Sequence, residues 1–125
     1  MSPDAVVANA ENSASTGRGI TRESGSALLT VADFLTLGNH AFDADGYKEF
    51  LGEEDRVVRP ANFGEKDPGL ARGVFEAGGV IVGVINVLGR VFVERTRVSP
   101  FEAAVLAIEE LEARGAELLL VDSHA

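Results

Sequence analysis

No cysteine occurs in these 125 residues, which excludes a disulfide framework and a thiolate zinc site, so any bound metal must be held by oxygen and imidazole. Basic charge is also scarce. Eleven Lys and Arg against 20 Asp and Glu give a formal net charge of −9 and a pI near 4.6. That balance repels a polyanion and leaves no extended nucleic-acid surface. A small phosphate ester remains compatible with it where cations supply the local positive field. Long apolar runs are missing too: Val80 to Leu88 is short and interrupted by Gly83, and Met1-Ser2-Pro3-Asp4 has neither a basic nor a hydrophobic stretch. The expectation is a cytoplasmic protein with no membrane span. There is no phosphate loop, since Gly17-Arg18-Gly19-Ile20-Thr21 is too short and lacks the lysine, and there is no G-x-S-x-G elbow or internal repeat.

What is present is a hydrophobic fraction of 46%, enough for one core in a single domain over residues 1–125. Ala5 to Ala8 reads as a short buried strand, followed by a Ser, Thr and Gly-rich loop. Thr21 is placed to cap a helix running to about Thr30, and Phe34 to Leu37 reads as a second strand. Asp43 is placed to cap a short helix through Tyr47, Phe50 and Leu51. Val57-Val58 before Arg59-Pro60 predicts an edge strand or exit turn. Gly78-Gly79 between two β-rich runs predicts an antiparallel hairpin. Ser99-Pro100-Phe101-Glu102 predicts a capping box opening a helix whose buried face is Phe101, Ala104, Val105, Ile108 and Leu111, ended by Gly115. The strand Leu118 to Val121 follows at once, so the expected class is α/β with a mixed sheet.

Three of these strands empty into metal-ligand chemistry: the first into Glu11-Asn12, the second into Asn39-His40, the last into His124. Ligands in open α/β sheets bind outside the carboxyl ends of the strands, so these residues are aimed at one place. A two-metal site needs a bridging carboxylate, further nitrogen or oxygen donors and an open position, and Glu11, Asn12, Asn39 and His124 are of the right types. His40 could give a proton to a leaving oxygen at neutral pH. Each residue also has a purely structural reading. Glu11 suits a polar loop, Asn12 a turn, Asn39 a left-handed turn after Gly38, and His124 an unordered terminus. Asp122 could be a further ligand but reads first as a cap or loop residue, and Arg59 and Arg90 could touch a phosphate but read first as partners of surface acids.

Val7-Ala8-Asn9-Ala10-Glu11-Asn12-Ser13-Ala14, Gly17-Arg18-Gly19-Ile20-Thr21, Leu35-Thr36-Leu37-Gly38-Asn39-His40-Ala41-Phe42-Asp43, Arg59-Pro60-Ala61-Asn62, Asn86-Val87-Leu88-Gly89-Arg90-Val91-Phe92, Ser99-Pro100-Phe101 and Val121-Asp122-Ser123-His124-Ala125 occur in that order. The series resembles the YmdB-like metallophosphoesterases, calcineurin-like phosphoesterases described as 2′,3′-cyclic-nucleotide 2′-phosphodiesterases. The resemblance implies an α/β/β/α sandwich with two metal ions, divalent or mixed-valence iron or manganese. It makes Glu11 the bridging ligand, Asn12 its companion on the first ion, Asn39 and His124 ligands of the second, and His40 the proton donor. The implied substrate is a small cyclic nucleotide or phosphodiester, and the implied product a 3′-nucleotide.

Against that family the chain lacks the opening strand ending in Gly-Asp and the later Gly-x-His-x-His segment, and Ser123 replaces an aromatic residue. The sequence therefore predicts an incomplete sandwich, an internal piece inactive alone, from a protein that is a homo-oligomer at full length. The alternative is a non-catalytic binding or regulatory module on the same scaffold.

Overall fold

A computed structural model describes residues 2–125; Met1, at the head of the segment read for a targeting signal, lies outside the described residues. Strand β1 (Val7–Asn9), helix α1 (Arg22–Leu28), β2 (Phe34–Thr36), α2 (Tyr47–Glu53) and β3 (Val57–Val58) alternate, and the three strands form one parallel sheet in the order β1-β2-β3. Next come the antiparallel pair β4 (Arg72–Ala77) and β5 (Val80–Leu88), then α3 (Pro100–Ala113) and β6 (Leu118–His124), which returns parallel to β5. The mixed character expected of one sheet is thus confined to the second of two. The proline after Val58 leaves β3 at an edge, as expected.

Alternation along the strands stacks the two sheets. Phe34 and Val58 of the first sheet meet Val82 and Val84 of the second, while Leu35 and Val57 face Phe50, Leu51 and Leu29 on the helical side. On the outer side of the second sheet, Ile85 and Val87 pack on Ala103, Ala107 and Leu111 of α3. The layers run helix, sheet, sheet, helix. Gly73 permits the close stacking, because a Cβ there would lie 2.5 Å from the Phe34 ring.

Several local readings need correction. Thr21 caps α1 as expected, with Ser24 reciprocating. Asp43 does not cap α2. Gly46 holds that position with a left-handed backbone, and the Asp43 carboxylate turns to His40 instead. At α3 the Ser99 hydroxyl accepts from the Phe101 N–H, the N2 rather than the N3 position of a capping box. Leu111 of α3 is buried as expected and Ala104 and Ile108 pack beside it, but Ala103 and Ala107 complete the buried face, whereas Phe101 and Val105 are exposed. Small residues win this face because the helix lies close on the sheet: a Cβ at Gly83 would come within 3.1 Å of Leu111. Gly115 ends the helix with φ +92, as its position predicts. His124 is not loose, since β6 runs through it and pairs it with Leu88.

Candidate functional site

The site is assembled at the carboxyl ends of β1, β2 and β6. Asn9, the last residue of β1, donates to the Leu37 carbonyl at 3.0 Å and to Asp122 Oδ2 at 2.9 Å, while its own Oδ1 accepts the Glu11 N–H at 3.1 Å. That clamp turns the chain after β1 inward. Glu11 becomes 3% exposed, its carboxyl lying against Gly38.

Glu11 Oε1 accepts the His40 backbone N–H at 2.9 Å, and Oε2 lies 3.2 Å from His124 Nε2. Asn39 Nδ2 lies 3.3 Å from His40 Nε2, and the other ring nitrogen of His40 lies 2.7 Å from Asp43 Oδ2. Four of the five expected residues therefore form one connected set. Asn12 stands apart. It is exposed, its backbone bridges to Gly19, and among the described residues its side chain bonds to none of the other four. Asn39 does not take the left-handed turn that was its alternative reading; among the described residues only Phe92 has positive φ without being glycine.

The donor chemistry fits a cation in part. With metal–donor lengths of about 2.0–2.2 Å, two donors at a right angle stand about 3 Å apart, close to the separation of Glu11 Oε2 from His124 Nε2. A buried carboxylate also demands compensation, of which the His40 N–H supplies part and a cation would supply more. Among the described residues no group of three or more His, Cys, Asp or Glu side chains has metal-holding geometry, so the fit is that of a partial coordination shell. Two open depressions flank the set. One of about 440 Å³ is lined by Asn39, His40 and the run Phe92 to Arg95; the other, about 640 Å³, is lined by His124, Arg90, Phe101 and Val121 among others.

The layered fold is shared with known proteins. The YmdB-like protein family matches residues 1–125. The chain belongs to that family. It is 34% identical over 127 residues to a 2′,3′-cyclic-nucleotide 2′-phosphodiesterase of Bacillus subtilis, covering 98% of this chain and 46% of that protein. A crystal structure of a hypothetical protein from Thermus thermophilus superposes with a TM-score of 0.86 at 36% identity, covering 98% of this chain and 47% of its own. A novel phosphatase from Mycoplasma pneumoniae gives 0.80 at 28% identity, with 98% and 44% covered. The chain thus spans about half the length of these relatives. The architecture is that of the metallophosphoesterase fold.

Within this YmdB-like chain, sequence reasoning passed over the residues that build the site without bearing its chemistry. Gly38 leaves room for the Glu11 carboxyl, Asn9 orients the loop, and Asp43 holds His40. A glycine directly before Asn-His was the available signal. Asp122 is neither cap nor loop residue: it lies within β6 and accepts from Thr36 Oγ1 at 2.6 Å and from Asn9, joining the two sheets beneath the site. Arg59 does not pair with a surface acid. It is buried, and its guanidinium donates to the carbonyls of Pro60, Gly64 and Asp67. Burial pushes its pKa down, with Asp67 acting in the opposite direction. Arg90 is exposed on the wall of the larger cleft.

Proposed function

We propose that this chain carries part of the active site of a metal-dependent phosphodiesterase acting on small phosphodiesters of the 2′,3′-cyclic-nucleotide class. One observation carries the reading: a buried glutamate joins the backbone of His40 to the ring of His124 at the shared end of three strands. The B. subtilis relative, named for this activity, supports it. In this reading Glu11, Asn39 and His124 hold cations of the iron or manganese class, and Asn12 joins Glu11 after a change of side-chain rotamer. Such cations, when bound, supply neutralisation of charge developing on the phosphoryl oxygens.

The chain's own residues do the rest. Asp43 fixes one nitrogen of the His40 ring, leaving Nε2 free of the protein apart from the Asn39 amide. The ring lines the 440 Å³ depression, where it can hand a proton to the ribose 2′ oxygen as water adds to phosphorus and the bond from phosphorus to that oxygen breaks, giving a 3′-nucleotide. Glu11 holds the His40 backbone, so the donor and the cation-binding carboxylate keep a fixed separation.

Thermal melting with manganese or ferrous iron tests the reading. The wild-type chain is expected to melt higher with metal, and Glu11→Gln and His124→Ala to lose that shift. A wild-type melting curve indifferent to both metals would remove the metallophosphodiesterase reading. The same proposal expects the 125-residue chain to turn over little 2′,3′-cyclic AMP, because its shell is partial. Turnover abolished by His40→Ala would show instead that the shell is complete.

A further inference from the structure

Phe92 occupies the rim of the depression that His40 and Asn39 line, and its side chain is 100% exposed. Its backbone has φ +60, a conformation that L side chains rarely adopt and that is often retained where function requires it. The neighbours on its C-terminal side are anchored. Val93 packs against the core cluster on the helical side of the first sheet, and the Arg95 guanidinium lies 5.2 Å from the centre of the Phe42 ring. Thr96 Oγ1 donates to the Val93 carbonyl and the Arg97 N–H to the Asn62 carbonyl. A loop tied down at Val93, Arg95 and Arg97 nevertheless presents a phenylalanine to water in a strained conformation, against the hydrophobic effect. The exposed ring is available to a planar apolar group, and the depression that it lines together with His40, about 440 Å³, is of the size that ligands occupy.

We propose that Phe92 is the platform on which the nucleobase of the substrate stacks, making it a specificity-determining residue on the His40 side of the site. The inference rests on the phosphodiester reading and deepens it. An aromatic face offers a base its stacking energy without hydrogen-bond selection, so the platform favours nucleotides over base-free phosphodiesters while tolerating different bases. Val93 joins the ring on the apolar part of the same wall, and Glu94 and Arg95 are its charged members.

The chain contains no tryptophan, so Phe92→Trp places a single reporter at the rim. With manganese present, 2′,3′-cyclic AMP is expected to quench its fluorescence saturably, and base-free ribose 2,3-cyclic phosphate is not. Calorimetry on Phe92→Ala should show about tenfold or greater weakening for the nucleotide and no change for the base-free ester. Because the ring is fully exposed, neither variant threatens folding, which circular dichroism checks. Equal quenching by both ligands, or unchanged nucleotide affinity in Phe92→Ala, overturns the platform and leaves the phosphodiester reading standing. If the wild type binds neither ligand, both fall.

Discussion

Gly38 and Glu11 are in contact so close that a Cβ on the glycine would stand 2.4 Å from the carboxyl carbon and 2.5 Å from Oε1. The glycine is needed here for space; its φ is not in the left-handed region. Glu11 can therefore be buried between His40 and His124 only because the residue leading into Asn39-His40 has no side chain.

Gly38→Ala should force that carboxyl aside. Overpacking of this kind costs about 1–3 kcal/mol, readable as a lower urea midpoint. More telling is the manganese response: the variant is expected to lose the metal-induced rise in melting temperature while keeping its circular dichroism. A full metal response in Gly38→Ala would mean that the Glu11 position is irrelevant to the cation.

Asp122 ties the sheets together through Thr36 and Asn9, and the Asn86 amide also donates to its backbone carbonyl. Removing the carboxylate with Asp122→Ala leaves the buried Thr36 hydroxyl without its acceptor, at a cost of about 1–3 kcal/mol. Chemical denaturation measures it. Since Asn9 also orients Glu11, a smaller metal-induced melting shift should accompany the loss.

Arg59 closes the loop after β3 by donating to three carbonyls from a buried position. In Arg59→Met the aliphatic stem stays and the donors go, so the loss isolates the hydrogen bonds, about 2–3 kcal/mol in denaturant. Limited proteolysis should move to residues 60–69. A variant as stable as wild type, with no new cleavage there, would show that the loop holds without the guanidinium.

The helix α3 shows where pattern reading works and where it stops. Its limits were legible, because Ser99, Pro100 and Gly115 act locally through cap geometry and left-handed backbone. Its buried face was legible only in part: Leu111, Ala104 and Ile108 pack on the sheet as read, but Phe101 and Val105 do not, because the close-lying sheet favours small residues at Ala103 and Ala107. Ala107→Leu should cost about 1–3 kcal/mol by overpacking, while Phe101→Ser should stay within about 0.5 kcal/mol of wild type. The reverse ranking would restore the sequence-based face.

The site divides along the same line. The convergence of Glu11, Asn39, His40 and His124 was legible because the first three follow apolar strands and the last closes one, and strand ends in such a fold share one edge. Asn9, Gly38, Asp43 and Asp122 act through contacts between segments distant in sequence or through a turn whose shape composition does not specify. Asp43 is the clearest case. Its type and position suit a helix cap equally well, and only the turn in which its N–H bonds the His40 carbonyl at 3.1 Å sends it to the imidazole.

Phe92 separates stability from function in a single substitution. A left-handed backbone costs an ordinary L residue about 1–2 kcal/mol, and glycine escapes that cost but loses more chain entropy on folding. No buried packing is lost with a side chain that is 100% exposed. Phe92→Gly is therefore expected to be more stable than wild type by about 0.5–1 kcal/mol, read in urea at fixed metal concentration. Its affinity for 2′,3′-cyclic AMP should fall in the same preparation, because the ring is gone. Strain kept for packing would make both quantities fall together; strain kept for a ligand makes them move in opposite directions.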